Sequence, residues 1–398
     1  MKLSLPLLVL IFLACNSNHE ITFLIAAEEF DLTHVPVSAE LETGIFDEDT
    51  IVCLQTDNQV IPAQIEFISD SAQRLWWIVN QAAGESKEYR LKHNEDCNSS
   101  VTFTWSQAGD QSKRLLQNST PFIQYEYPVF DPDDIEASKK PYHHIFDPAG
   151  DRLITKGPGG LYGHHRGIFF GYNHVYTHDK PDTQIDIWHA RDGERSEHSE
   201  FIKEFEGPVM GGHIVKIYWK DHNGSPFLEE LRDIRVFDQP DNEILIDFRS
   251  TLTAIDGSVR LDGDLQHAGV QFRAAQYVAD HAENTRFIRP EKWSHVPPDT
   301  EIGEADRLDL PWNAMHFQLE NKNYTVAYMS HPQNPGGAEM SERRYGRFGE
   351  FFPYEVTENN PLNVHYRFWI KSGGEPSIDE IELRYSAFAN PTVVTANY

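Results

Sequence analysis

Helical periodicity is almost absent from this sequence. Basic side chains, cysteine and long apolar runs are all scarce as well. Each shortage excludes something. Lysine and arginine number 34 against 62 aspartates and glutamates, a net charge of −28. That balance excludes a nucleic-acid partner, because phosphate binding needs a basic surface. An acidic surface of this degree suits an exported protein in salty water, where screening limits self-repulsion. A pronounced apolar run occurs only at Leu3 to Leu13. It is shorter than the ~20 residues a spanning helix needs, but it fits the core of a secretion signal. Leu13-Ala14-Cys15 follows as a lipoprotein cleavage site, with Phe12 where such signals usually carry leucine. The reading is therefore a signal peptide over 1–14, lipidation at Cys15 and a tether over 15–29. The expected location is the cell envelope, with the membrane reached through the lipid alone and the facing side left open. Of three cysteines, Cys53 and Cys97 then remain. In an oxidising compartment they are a candidate disulfide, with two buried thiols as the alternative.

What is present is short alternating runs broken by Gly, Pro, Asn and Asp. "TIVCLQTDNQVIPAQIEFI" predicts strand, turn, strand, and "RLWWIVN" with "KEYRLKH" predicts another pair. "HIVKIYWKDHNGSPFLEELRDIRVF", "EILIDFRSTLTAI", "MHFQLENKNYTVAYMS" and "LNVHYRFWI" continue the pattern. Closely spaced strands of this kind predict an all-β protein. The polar, proline-bearing stretch 127–142 predicts a linker. A small N-terminal β-sandwich domain over 30–126 and a large antiparallel β-supersandwich over 143–398 are expected on either side.

Histidine marks the chemistry. Ten of the 19 histidines fall between His143 and His222. Histidine titrates near neutrality and binds metals, so crowding of this kind points to a site. Four segments stand out: "KPYHHIFDPAGD", "GLYGHHRGIFFGYNHV", "DIWHARDGERSEHSEF" and "DLQHAGVQFR". His164 and His165 cannot both face one ligand from a regular strand, because neighbours alternate. Gly163 and Gly167 bracket them, which predicts an irregular loop presenting both. The candidate catalytic residues are His164, His165, Arg166, His189, His198, His267 and Tyr345. The candidate substrate-binding residues are His143, His144, Trp188, Arg273, His331 and Arg344. Asp186, Glu197 and Glu200 are the nearby carboxylates for acid–base work. Trp188 and Tyr162 offer flat faces suited to a sugar ring.

The blocks "KPYHHIFDPAGDRLIT", "GHHRGIFFGYNHV", "IDIWH", "SEHSEF", "HPQNPGG" and "RRYGRFGEFFPYE" carry a resemblance in their order. The sequence resembles the exported bacterial family labelled methane oxygenase PmoA, whose typical core is a Pro-His-His-Arg-Gly run. Leu161-Tyr162-Gly163 departs from that family's usual Asp-His-Pro, and His267-Ala268-Gly269 from its usual Lys-Glu-Gly. A methane monooxygenase membrane subunit is a helix bundle, whereas this pattern is β, so the label reads as a misnomer. The family is in turn similar to the supersandwich group of galactose mutarotase-like domains, polysaccharide lyases and glycosidases. That implies histidine chemistry, with a carboxylate or tyrosine, on sugar rings.

Carbohydrate is thus the expected partner and substrate, handled by a hydrolase or a lyase. For a lyase, Arg166 or Arg273 neutralises a uronate, His165 or His189 takes the C5 proton and Tyr345 protonates the leaving oxygen. For a hydrolase, two carboxylates are required, with Glu197 and Glu200 first in line. No organic cofactor is expected. The alternatives are a metal enzyme, with histidines and a carboxylate holding a divalent ion, and a non-catalytic glycan-binding lipoprotein.

Overall fold

A computed structural model describes residues 21–398, apart from 43–44, 48–49, 57–58, 70–71, 94–96 and 98. The signal peptide and Cys15 lie outside the described residues. Strands dominate, and every strand pairing is antiparallel. No helix among the described residues is long and apolar enough to cross a membrane.

The N-terminal unit is a seven-stranded sheet. Its order is Leu32–Leu41, Ala72–Gln81, Val60–Ser69, Val52–Gln55, Lys87–His93, Thr22–Ile25, Val394–Asn397. Its first and last strands come into contact, so the sheet curls over a core of Phe23, Leu54, Trp77, Val79 and Tyr89. Two expected boundaries shift here. The stretch expected to be a tether includes Thr22–Ile25, which pairs with Lys87–His93 and with the chain's last strand. The linker at 127–142 does not divide the sheets. Thr120–Glu126 pairs directly with Tyr142–Ile145, Tyr142 opposite Glu126, so 103–126 belongs with the later sheets. A polar, proline-rich segment can be a tight excursion between paired strands, and composition does not distinguish the two cases.

Cys53 and Cys97 form a disulfide with Cα atoms 5.4 Å apart, closing 44 residues of the N-terminal unit. Closing a loop of that length constrains the unfolded chain by up to roughly 4 kcal/mol. Replacing both cysteines with alanine is expected to destabilise the protein by about 2–4 kcal/mol in urea unfolding. An unchanged midpoint would show that the bond adds nothing to stability.

The rest is a sandwich of two large sheets with a smaller four-stranded sheet, Lys180–Ile185, His174–Thr177, Ser258–Asp262, Tyr354–Thr357, beside it. One eight-stranded sheet runs Glu339–Arg343, Arg347–Phe351, Ala268–Arg273, Ile168–Tyr172, Tyr142–Ile145, Thr120–Glu126, Ser112–Gln117, Phe103–Gly109. The other runs Arg195–Phe205, Met210–Lys220, Pro226–Phe237, Glu243–Ala254, Leu362–Ser372, Lys322–Ser330, Trp312–Leu319, Arg286–Ile288. Alternation sorts each strand. From the first sheet Phe170, Tyr172, Val270, Phe272 and Phe348 face Ile217, Trp219, Ile246, Phe248 and Phe368 of the second. The far side of the second sheet is also covered. Leu245 and Trp369 pack there against Trp76 of the N-terminal sheet and Phe388 of the helix Ile378–Ala389. Strands buried on both faces read as apolar runs, as "EILIDF" does. Arg235 clamps the two units by a bidentate pair to Glu66, at 2.8 and 2.9 Å.

Of the carboxyls inside the sandwich, Glu230 and Glu342 are paired with arginines, whereas Glu350 has no ion pair among the described residues. Glu350 is buried beside Tyr328 and Tyr366 and accepts from Ser330 Oγ at 2.6 Å. Burial pushes its pKa up to about 7. Below pH 4.5 the group is protonated in both folded and unfolded chains. Between 4.5 and 7 only the unfolded chain releases its proton, so stability is lost across that window and the loss levels off above it. The size is on the order of 3 kcal/mol. Glu350→Gln is therefore expected to gain about that much on the wild type between pH 4.5 and 7.5. A gap between the two that stays constant with pH would refute the assignment.

Candidate functional site

The same alternation that fills the core sends a second set of side chains to the outer face of the first sheet. Phe169, Gln271, Arg273, Ser341 and Arg347 alternate with core residues on their strands, and Tyr142 with His144 joins them from the next strand. Three loops cover this face: 156–167, 186–190 and 263–267. They bring together the first site.

His164, His189 and His267 converge, with one ring nitrogen from each within 4.8 Å of the others. Behind two of the rings stands an aspartate. His189 Nδ1 donates to Asp186 Oδ2 at 2.8 Å, and His267 Nδ1 donates to Asp264 Oδ1 at 2.8 Å. Both aspartates sit three residues before their histidine. With Nδ1 engaged, each Nε2 is left with its lone pair outward, the arrangement by which carboxylates orient metal-binding imidazoles. His164 Nε2 is buried and has no partner. Burial raises the Asp186 carboxyl, but the hydrogen bonds from the His189 ring and backbone outweigh this and hold it below its usual range. Asp264 is held low in the same way by His267 and the Gln266 amide. Burial, then the nearby Lys140 ammonium, lowers His164 and favours the neutral ring a metal needs. The three nitrogens are close enough together that one divalent ion would be held among them. The donor set fits a divalent ion with a position left open.

The paired histidines are explained by the loop. Residues 161–164 form a turn, with Tyr162 at φ 53°, and Gly167 ends it at φ 44°. A Cβ at Gly167 would lie 2.1 Å from the His143 carbonyl oxygen, so only glycine fits. The backbone thus turns His164 and His165 to the same side, with ring centroids 4.2 Å apart. His165 is 2% exposed and neither ring nitrogen has a partner. Its ring lies near Trp188, Tyr162, Tyr345 and His267. Tyr345 stands over Tyr162 at 5.0 Å and accepts at its hydroxyl from Arg347 Nε at 3.1 Å.

Several expected site residues lie elsewhere or do other work. Arg166 is fully buried, and its guanidinium donates to the Glu136 carbonyl at 2.6 Å and to its carboxylate at 3.2 Å. It pins the short helix Ile135–Ser138 under the loop and presents no free fork. Trp188 is fully buried against Phe169 at 4.5 Å, so it walls the site and offers no face to a sugar. His144 is tied to Thr155 Oγ1 at 2.9 Å and Tyr142 Oη at 3.3 Å. His143, one residue earlier, points to the opposite face by strand alternation. It meets His213 inside the sandwich, Nε2 to Nε2 at 2.9 Å, and stacks on Tyr125. His198 bonds the Tyr125 hydroxyl at 3.2 Å in that second cluster. His331 stacks on His365 and meets Phe388 of the helix Ile378–Ala389 edge-on. Arg344 donates to the carbonyls of Glu283 and Thr285. Glu197 pairs with Arg195 and Lys220, and Glu200 with Lys216, so neither faces the histidine centre. Arg273 is retained, fully buried beside Tyr345.

Sequence reasoning missed Asp264, Arg347, Lys140 and Lys156. A signal for the first was available: Asp-x-x-His occurs at Asp186–His189 and again at Asp264–His267. The cations belong to the site only through the sheet's outer face, which no local pattern reveals.

A mostly-β sandwich with a three-histidine centre on its outer face is the class that fold and site define. The chain belongs to a family of unknown function, DUF6807, whose model matches residues 113–385. A search of curated proteins finds no match. Among solved structures, Pseudomonas aeruginosa OccK2 (OpdF) in complex with glucuronate aligns over 89% of this chain and 97% of that one. The identity is 7% and the TM-score 0.15, a likeness that carries no argument.

Proposed function

We propose that this chain is a metal-dependent enzyme of the cell envelope that acts on carbohydrate at the His164, His189 and His267 centre. The convergence of three imidazoles, two of them backed by aspartates, carries the reading. An ion held there supplies a Lewis acid and lowers the pKa of a bound water. The chain's own residues do the rest. His165 sits beside the centre as a neutral ring able to accept or give a proton. Tyr162, 47% exposed, and Tyr345 offer aromatic faces at the rim. Trp188 and Phe169 keep the floor dry. A hydrolase built on two carboxylates is not favoured, because Glu197 and Glu200 are engaged on another strand. The likeness to the PmoA-labelled family and to mutarotase-like sandwiches belongs to this proposal, supported by the quoted sequence blocks and the two stacked sheets. Anchoring through Cys15 belongs to it too, supported by the sequence "LLVLIFLAC".

The test is a product assay. The chain from Asn18 onward is loaded with zinc, manganese or iron and incubated with neutral and acidic glycans. Products are read by mass, with an EDTA-treated control. Metal-dependent new masses are expected, with water gained in hydrolysis and absent in elimination. Turnover that survives EDTA with no metal detectable would overturn the metal reading.

A further inference from the structure

We propose that the ligand of this centre carries a carboxylate, seated between the three histidines and the buried guanidinium groups of Arg273 and Arg347. The inference rests on the metal reading above only for the place of the ligand's other end.

Charge bookkeeping around the site motivates it. Arg166, Arg232, Arg235, Arg289 and Arg367 are buried, and each has a carboxylate at 3.2, 2.7, 2.8, 2.5 and 2.6 Å respectively. Arg273 and Arg347 are fully buried too, yet among the described residues no carboxylate lies within ion-pair distance of either. Arg273 donates to the carbonyls of Ala274, Tyr345 and Leu161, and its Nε has no partner. Arg347 donates to Tyr345 Oη, Gln271 Oε1 and Ser341 Oγ, all neutral. Lys140 and Lys156, both buried, donate to backbone carbonyls only. A protein with a net charge of −28 has carboxylates in abundance. It places them on every other buried arginine and withholds them here.

Burying an unpaired charge costs several kcal/mol, so such charges are normally matched. An arginine cannot shed its proton to escape that cost. The match therefore comes from outside the chain. The guanidinium groups lie beside the centre: Arg347 Nε donates to the Tyr345 hydroxyl at 3.1 Å, Arg273 lies 5.1 Å from the Tyr345 ring, and that ring stacks with His165 at 6.3 Å. His165 supplies an independent sign, because a buried ring with both nitrogens unpartnered lacks a ligand it is shaped to meet. Asp186 and Asp264 together balance a divalent ion on neutral imidazoles, which leaves the guanidinium charges still unmatched. Each guanidinium keeps N–H groups beyond its three bonds, and a singly charged carboxylate with two oxygens is the simplest anion to pair with them.

The experiment compares matched acid and neutral ligands on the metal-loaded protein by thermal shift and calorimetry. The pairs are galacturonate with galactose and acetate with acetamide, and inorganic phosphate is a separate arm. Saturable binding by the carboxylates, and none by the neutral partners, is expected. Arg273→Gln is expected to weaken galacturonate about thirtyfold or more, the loss typical when one member of a buried charge pair goes. It should leave the bound metal unchanged. Arg273→Lys keeps the charge and should lose less, which separates charge from misfolding. Equal binding of acid and neutral members, no carboxylate binding, or binding of phosphate alone overturns the proposal. Galacturonate binding that responds to Arg273→Gln in a protein that holds no metal would sink the metal reading and leave this one standing. Metal retained with no carboxylate bound would do the reverse.

Discussion

Alanine in place of His164 is expected to leave the purified protein without its divalent ion and without turnover. On the proposed reading three imidazoles hold the ion, so losing one leaves two ligands, and affinity is expected to fall by more than the ~10–100-fold that loss of an outer-shell partner costs. Asp186→Asn and Asp264→Asn act one step further out. Each aspartate accepts Nδ1–H and so fixes which nitrogen of His189 or His267 is free. Asparagine can also present its N–H side to the ring and favour the wrong tautomer. Loss of about 10–100-fold in metal affinity is expected for each. Elemental analysis after dialysis against zinc, with unfolding curves alongside, reads both results. If His164→Ala holds as much metal as the wild type, the three-histidine centre is not a metal site.

The second large effect is acid lability. Burial lowers the pKa of His143 and His213 well below 6.5, and lowers His144 to about 4. Above pH 6.5 these rings are neutral in folded and unfolded chains alike. As pH falls below 6.5 the unfolded chain takes up protons that the folded chain refuses, so stability is lost with each step down. One such group contributes up to about 1.4 kcal/mol per pH unit, and the set several times that. Stability is thus expected to drop steeply from pH 6.5 towards 4, against the opposite and smaller trend from Glu350. The pair His143 and His213 is the cleanest handle, because the two share one hydrogen bond away from the three-histidine centre. Replacing both with phenylalanine removes two buried polar partners together, which is far gentler than removing one. The double variant should show a shallower fall in urea stability between pH 7 and 5. A slope equal to the wild type's would place the acid lability elsewhere.

The segments that sequence alone handled well share a physical trait. "HIVKIYWKDHNGSPFLEELRDIRVF" is strand, turn, strand in the fold, because alternation and an Asn-Gly turn are local properties. The sequence singles out His164, His165, His189 and His267, but it offers no means of separating them from His143, His198 and His331, which the fold places elsewhere. The failures share a trait too. His143 and His144 looked alike as neighbours, but the pleat sends one into the sandwich core and the other to the outer face. Arg166 sits within the most suggestive motif, yet its partner Glu136 lies thirty residues back in sequence. The Asp-x-x-His repeat is visible in the sequence, but an aspartate three residues before a histidine gains meaning only when the fold brings that histidine together with others.

Composition and periodicity by themselves determined that this chain is a β protein with an acidic surface and a histidine-rich centre. Those properties follow from side-chain chemistry and from the two-residue repeat of a strand. Only the tertiary structure decided which histidines meet, which arginines go unmatched, and that Phe103–Gly109 belongs to the sandwich. These depend on which strands pair and which face each strand buries, and a register shift of one residue would reverse every such assignment.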